Sequence, residues 1–351
     1  MKPLEIAEKL YSTFENSQKV QSYYGLLAVW ALAETAVEGD NVELLEKCKS
    51  YLSLYPDNFE HPNYNFENYR VGGTGKAWLL AKGLFDAEKE NIRLYSEYTL
   101  NAPKDDEGVL CHPRIKQWTW IDIAAFVPTF MLFSGLALNE EKYIDFAANQ
   151  VFMMYERFLD KTCGLLHQTR GHLPNPDIVS PDHWGRGNGW GYIALTKLVE
   201  YLPKDSKHRP KAEKYFKSLS EALLRCQNIK GVWRQLLDCD YAWDECSSTG
   251  LITAGFGVGI RLGLLNKSIY EKPFLKALQA IVDLFINKDF STNMSCPGCL
   301  APYLGEERAT LRAYLTAVHP THNEGHSFGS LMFAFIEAAR NGVEDLVGRS
   351  W

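Results

Sequence analysis

Asp122 follows two tryptophans, in Trp118-Thr119-Trp120-Ile121-Asp122, and precedes an apolar run, Ile123-Ala124-Ala125-Phe126. A carboxyl group at the start of a helix is ordinarily a capping or first-turn acid, worth roughly 1 kcal/mol. The same group lodged among indoles has a second use. Desolvation disfavours the ionised form and raises the pKa toward the range where a carboxylic acid donates a proton near neutrality. Asp122 is therefore a candidate general acid, and Trp120 a candidate wall of its site.

A second segment carries the complementary chemistry. His183-Trp184-Gly185-Arg186-Gly187-Asn188-Gly189-Trp190 holds three glycines, one arginine and two tryptophans directly ahead of an apolar run. Glycines let a backbone turn tightly and approach a ligand. A helix opening here points its amide groups and positive dipole end toward an anion. Arg186 adds a fork of donors matched to a carboxylate, and Trp184 and Trp190 offer flat apolar faces to a sugar ring. The plainer reading is a glycine-rich connector with buried tryptophans.

Loop residues extend the set. His112 lies in Gly108-Val109-Leu110-Cys111-His112-Pro113 and His167 in Gly164-Leu165-Leu166-His167-Gln168-Thr169. Both could donate hydrogen bonds to hydroxyls or a carboxylate, or simply close turns. Glu245, in Trp243-Asp244-Glu245-Cys246-Ser247-Ser248-Thr249, opens another helix and is read as a cavity-lining group. His322 and His326 share the His-x3-His spacing of helical zinc pairs, but the Glu does not follow the first His and Gly325 precedes the second. That stretch is read as the opening of the last helix. Cys296-Pro297-Gly298-Cys299 is a lone C-x-x-C without a second ligand pair. Neither a metal nor a cofactor is expected.

The elements that must position these residues are helices. Apolar residues recur at helical spacing along nearly the whole chain, and alternating strand patterns are scarce. Twelve segments are predicted, centred near Leu10, Val29, Leu45, Trp78, Tyr95, Phe126, Phe152, Ala194, Tyr215, Gly255, Val282 and Phe333. Short links (38–41, 85–89, 137–141, 201–208) alternate with long ones (55–70, 100–116, 159–185, 229–245, 289–324). Helices joined by short links run antiparallel, so the long loops gather at one end. Six hairpins arranged so imply an all-α, closed (α/α)6 toroid with that end as the rim of its cavity. Pro128 lies inside the sixth segment and is expected to kink or weaken it. No linker or composition break divides residues 1–351, so a single catalytic domain is expected; a two-domain helical bundle is the alternative.

Composition narrows the partners. A formal charge of −6 argues against nucleic acid, and no apolar stretch is long enough to span a bilayer. Aromatic residues at 13% suit carbohydrate handling, although helical cores use them too. The eight cysteines are scattered through the chain rather than spaced as a disulfide framework, and the amino-terminal residues are charged rather than signal-like. A cytoplasmic location is expected; the oligomeric state is left open.

Taken together, Trp120-Ile121-Asp122 with its apolar helix and Pro128, the Gly164–His167 turn, and Trp184-Gly185-Arg186-Gly187-Asn188-Gly189-Trp190 resemble the unsaturated glycuronyl hydrolases. The resemblance is to glycoside hydrolase family 105, the unsaturated rhamnogalacturonyl hydrolases, and to the related family 88. The Glu245–Thr249 helix start and the Gly325–Glu337 helix fit as well, so the likeness runs from about Gly108 to the C-terminus. It implies an (α/α)6 toroid acting on lyase-generated oligosaccharides that carry a 4,5-unsaturated uronic acid at the non-reducing end. By motif, Asp122 is similar to the catalytic acid/base. Arg186 and Trp190 are similar to contacts on the unsaturated sugar, with His112 and His167 lining the site. One departure is visible. Where the family brings a second aspartate ahead of a glycine, this chain reads Phe66-Glu67-Asn68-Tyr69-Arg70-Val71-Gly72, with Glu67 as the acid. Arg70 facing the cavity favours a more anionic or differently substituted substrate.

Two other readings stand beside this one. A toroid enzyme of another kind would need facing histidines (an epimerase) or two carboxylates about 6.5–9.5 Å apart (an inverting glycosidase). A non-catalytic oligosaccharide-binding protein would bind without turnover.

Overall fold

The computed structural model describes residues 1–55, 71–86, 89–112, 117–173, 175–298, 310–316 and 318–348. Six mostly buried helices form an inner layer: α2 (Tyr23–Glu38), α4 (Val71–Ala81), α6 (Asp122–Leu138), α8 (Gly185–Tyr201), α10 (Cys246–Arg261) and α13 (Gly325–Arg340). Each packs on the next in that order, and α13 packs back on α2, so the ring closes. Around it lie α1 (Pro3–Ser17), α3 (Val42–Leu52), α5 (Glu90–Leu100), α7 (Glu141–Phe158), α9 (Arg209–Cys226) and α11 (Lys267–Leu284). These outer helices are two-faced. On α1, for example, Ile6, Leu10 and Phe14 are buried at helical spacing while Glu5, Lys9 and Asn16 stay exposed.

The twelve predicted segments are all present, and they form the expected α/α toroid. Two features go beyond the sequence reading: a six-residue helix, α12 (Leu311–Thr316), and a two-stranded sheet, β1 (Thr119–Trp120) with β2 (Thr169–Arg170). The strands pair antiparallel, Trp120 opposite Thr169, and tie the loop entering α6 to the loop entering α8. Pro128 does not break α6, which runs continuously from Asp122 to Leu138.

The alternation of links has the expected consequence. The long connections all lead into inner helices, and apart from 18–22, which enters α2, the short ones lead out of them, so the inner helices start at one rim. The opposite end is shut by a buried charge cluster. Lys197 contacts Glu34 at 3.2 Å and Glu200 at 3.4 Å; Arg261 contacts Glu200 at 2.7 Å and Glu337 at 2.9 Å. Arg340 completes it, 3.0 Å from Glu34 and 2.8 Å from Glu337. Three cations offset three carboxylates, which is what makes buried charge tolerable. Between this plug and the rim lies an apolar floor in which Trp30 meets Phe133 and Phe333 edge-on.

Candidate functional site

Helix geometry places the two principal candidates together. Asp122 is the first residue of α6, half-buried, with Phe126 one turn further on the same face. Arg186 is in the first turn of α8, with Trp190 one turn further. The Phe126 and Trp190 rings touch, their centroids 4.9 Å apart. Asp122 and Arg186 therefore stand at one level on adjacent inner helices, each a turn above this aromatic contact.

Arg186 is committed to the protein itself. It is 1% exposed, its guanidinium lies 4.9 Å over the Trp184 ring, and its NH1 donates to the Cys296 carbonyl at 2.6 Å. The same nitrogen is 3.4 Å from Ser247 Oγ and 3.5 Å from Glu324 Oε2. Burial opposes its charge, but Cys296, Glu324 and Glu245 around it raise its pKa above the usual arginine value. The nearest carboxylates are thus the chain's own, whereas the sequence reading had it await a ligand's. Its buried Nε has no hydrogen-bond partner among the described residues.

A chain of buried polar groups continues from there. Glu324 caps α13, accepting from the His326 amide at 3.0 Å and the Ser295 hydroxyl at 3.0 Å. His326 Nδ1 lies 2.5 Å from Glu324 Oε1, and its Nε2 meets the Tyr23 hydroxyl at the start of α2. Burial pushes the Glu324 pKa up, yet His326 and Arg186 outweigh it and hold the carboxyl at about 2. Burial and then Arg186 push His326 down. A neutral imidazole so placed gives its Nδ1 proton to Glu324 and accepts from Tyr23. Tyr23 packs in turn on Phe126, at 5.6 Å.

Glu245 is fully buried and caps α10. It accepts from the Ser247 and Ser248 amides at 3.1 and 2.6 Å, the Ser247 hydroxyl at 2.7 Å and the Cys296 amide at 2.9 Å. Its bonds fasten the 285–324 connection to the rim, so its geometry is that of an anchor behind Arg186.

The loop residues form an aromatic ladder beside Asp122. Trp118 stacks between His112 and His172, each at 4.7 Å, and Trp120 leans on Trp118 at 5.1 Å and on His112 at 5.7 Å. The His112 amide donates to the Trp118 carbonyl at 2.8 Å, and the Trp118 indole N–H donates to Thr169 Oγ1 at 3.0 Å. His167 sits elsewhere on the rim, its ring 4.8 Å from that of His183. Asn188 sets its height: the side chain accepts from the Leu166 amide at 2.8 Å and donates to the Leu166 carbonyl at 2.8 Å and the Trp184 carbonyl at 3.0 Å. Nearby, Asp182 is fully buried. Burial pushes its pKa up to about 6, against the neighbouring Ser180 and Tyr314, although no donor among the described residues reaches either oxygen in hydrogen-bonding geometry.

Two differences from the sequence reading follow. Trp184 and Trp190 turn inward, each 1% exposed, and Trp190 lines an interior space with Leu27, Trp30 and Phe333. The glycines of this segment serve close packing: a Cβ on Gly185 would lie 2.4 Å from the Arg234 carbonyl oxygen, and one on Gly191 2.5 Å from Leu166. Arg70 and Glu67 lie outside the described residues. Sequence reasoning passed over Tyr23, His172 and Glu324, and took Trp118 only as one of the two indoles ahead of Asp122. Only Glu324 carried a signal, an acid directly before the glycine that opens an apolar helix.

A closed double ring of helices, with polar side chains gathered on the first turns at one rim, defines an α/α toroid. A family model for Glycosyl Hydrolase Family 88 matches residues 14–342, and the chain belongs to that family. Among curated relatives, it is 29% identical over 175 residues to an unsaturated 3S-rhamnoglycuronyl hydrolase of Formosa agariphila, covering 47% of this chain and 46% of the relative. It is 25% identical over 206 residues to the unsaturated rhamnogalacturonyl hydrolase YesR of Bacillus subtilis, covering 56% and 57%. The chain thus spans about half the length of the curated relatives it matches. In fold it is similar to a family 105 glycoside hydrolase of C. acetobutylicum, with TM-score 0.80 and 22% identity over 95% of this chain and 99% of the other. A possible family 105 member from Klebsiella pneumoniae gives TM-score 0.83 and 16% identity over 97% and 93%. The family expected from the residues is borne out.

Proposed function

We propose that the protein releases 4,5-unsaturated uronic acid from the non-reducing end of lyase-generated oligosaccharides by hydrating the C4=C5 bond, with Asp122 as general acid/base. The supporting observation is the placement of Asp122 and Arg186 at one level on adjacent helices, a turn above the Phe126–Trp190 contact. The substrate is a vinyl ether. Proton transfer from the Asp122 carboxyl to C4 leaves an oxocarbenium-like cation at C5 and the ring oxygen. Water adds at C5 while Asp122 takes up a proton. The resulting hemiketal opens by cleavage of the bond between C5 and the ring oxygen, giving a ketone at C5 and a hemiacetal at C1; the hemiacetal collapses to an aldehyde, its hydroxyl proton replacing C1 on the glycosidic oxygen of the released sugar. One carboxyl group serves both steps, so a paired nucleophile is not needed.

The other roles follow from position. The first turns of the inner helices converge on the rim with positive dipole ends, a setting that favours a bound uronate. Arg186 adds fixed positive charge beneath it, with Trp190 as part of the floor. His112 and Trp120, with Trp118 and His172, form a ladder against which a sugar face would lie; His167 supplies a further edge. Arg70 and Glu245 complete the proposed set, Glu245 by anchoring. The relatives' names speak of rhamnose joined to an unsaturated uronide, which makes rhamnose the first candidate for the neighbouring sugar. We further propose that residues 1–351 act as one catalytic unit, with no nucleic-acid or membrane partner. A cytoplasmic setting is in keeping with free thiols at all seven described cysteines. No described helix is long and apolar enough to cross a membrane.

The test is loss of the ultraviolet absorbance of unsaturated uronyl disaccharides prepared from ulvan, pectin and glycosaminoglycans. Wild-type protein should abolish it for at least one of them, and Asp122→Asn should not. Undiminished turnover by the asparagine variant would remove Asp122 from the mechanism.

A further inference from the structure

A second polar cluster, on the loops entering α8 and α10, takes no part in the proposed hydrolysis. Asp160 and Cys163 belong to one tight turn, closed by the Gly164 amide donating to the Asp160 carbonyl at 2.7 Å, with Gly164 at a φ of 81°. His183 comes from the far end of the same connection. Its Nε2 lies 3.4 Å from Asp160 Oδ2 and 3.8 Å from Cys163 Sγ, and the three ligand atoms lie within 4.8 Å of one another. His167 stands outside this group, its Nε2 3.9 Å from the same Asp160 oxygen.

We propose that Asp160, Cys163 and His183 form a three-residue binding site for a zinc-type divalent transition metal, with water in the fourth position. The spacing fits the chemistry. Tetrahedral zinc with ordinary bond lengths separates nitrogen from oxygen by roughly 3.3 Å and nitrogen from sulfur by roughly 3.6 Å. The donors are also the right kinds: one thiolate and one carboxylate neutralise a divalent cation, and an imidazole with a water completes the shell. Two further contacts orient the ligands. Asp160 Oδ1 accepts from the Thr162 amide at 2.7 Å and hydroxyl at 2.6 Å, which leaves Oδ2 turned toward the histidines. His183 Nδ1 lies 2.7 Å from Asp238 Oδ2, the carboxylate–histidine arrangement that fixes the tautomer and ring direction of metal-bound histidines. A metal here would pin the His167 turn to the residue preceding Trp184, and so brace the start of α8.

The experiment uses the full chain, reduced and freed of metal by chelator, titrated with cobalt(II) and then with zinc(II) in competition. One cobalt per chain should bind with a thiolate-to-metal charge-transfer band, and zinc should displace it. Cys163→Ser should abolish the band, while Cys48→Ala, remote from the cluster, should leave it. Asp238→Asn should keep the band but weaken zinc binding about 10–100-fold. Circular dichroism checks that each variant is folded, and the wild-type titration stands without them. Absence of one-to-one binding by the wild type, or a band that survives in folded Cys163→Ser, overturns the proposal. Neither result bears on turnover of unsaturated uronides, which is read separately.

Discussion

Arg186 reaches past the start of α10 to within 3.5 Å of Glu324 on α13, so one guanidinium joins the first turns of three inner helices. The arrangement keeps a positive charge fixed at the rim while almost no part of it meets solvent. It also makes Glu324 the acid on which the site's electrostatics turn.

The acid sensitivity of the fold follows from that pair. Glu324 sits at about 2 in the folded protein against an ordinary value of 4.5, so its contribution is complete above pH 4.5 and is lost as pH falls toward 2. A gap of that size corresponds to about 3 kcal/mol. His326, lowered by its burial, adds a loss in the same direction below its ordinary value of 6.5. Glu324→Gln should therefore be less stable than wild type at pH 7, and the difference should shrink as the pH approaches 2–3. Denaturant titrations across that range measure it; a constant difference would detach Glu324 from the acid limb.

Asn188 offers a cleaner test of how the rim is held. Its side chain satisfies both the amide and the carbonyl of Leu166 from within α8. Asn188→Ala leaves two buried backbone groups without partners and should cost roughly 2–4 kcal/mol. Urea unfolding reads the loss, and turnover should fall with it because His167 follows Leu166 directly.

The helices and their closure were legible in the sequence, and the reason is physical. Outer helices such as α1 and α7 repeat apolar residues on one face, and the alternation of long and short links leaves few ways to arrange six hairpins. Asp122 and Arg186 were legible as candidates from residue type, a carboxyl group beside indoles and an arginine among glycines, each with a plainer capping or connector reading beside it. The direction of side chains was not. Helix α8 is buried nearly all round, polar residues included, so its periodicity marks no outward face, and nothing local shows that Trp190 points at the floor. Nor does the sequence show that Arg186 meets Glu324, because that contact depends on ring closure. The closed-end charge plug was invisible for the same reason: Lys197, Glu34 and Arg340 meet only once the ring exists.

That plug is itself testable. Lys197 is buried against Glu34 and Glu200, whose attraction keeps its pKa above the usual lysine value despite burial. Lys197→Met removes one cation and leaves two carboxylates short of a partner. The expected cost is about 3–5 kcal/mol, the penalty for breaking a buried ion pair from one side. A double variant, Lys197→Met with Glu34→Gln, should recover part of it; chemical denaturation of the three proteins decides the point.

The aromatic ladder separates binding from chemistry. Trp118 stacks on two imidazoles and its indole N–H is taken up by Thr169, so its loss should act mainly on substrate affinity. Trp118→Ala should raise KM by up to about tenfold by releasing the two imidazoles it holds, in line with roughly 0.5–1.5 kcal/mol for an aromatic contact, while kcat changes less than threefold. Steady-state kinetics on the preferred disaccharide would show it. An equal fall in kcat and kcat/KM would instead place Trp118 against the transition state.

Gly185 tests whether the glycines of α8 serve the protein or a ligand. A Cβ there would meet the Arg234 carbonyl oxygen at 2.4 Å and the Ser248 side chain at 3.1–3.2 Å. A backbone oxygen has little freedom to retreat, since the Gly185 amide already donates to the neighbouring Gln235 carbonyl at 2.7 Å. Gly185→Ala should destabilise the protein by roughly 1–3 kcal/mol through overpacking. The strain falls on the contact between α8 and the loop leading to Glu245, so the thermal midpoint should drop even without substrate. If Gly185→Ala leaves that midpoint unchanged and only weakens oligosaccharide binding, the glycine is there for the ligand, and the packing account of this segment is wrong.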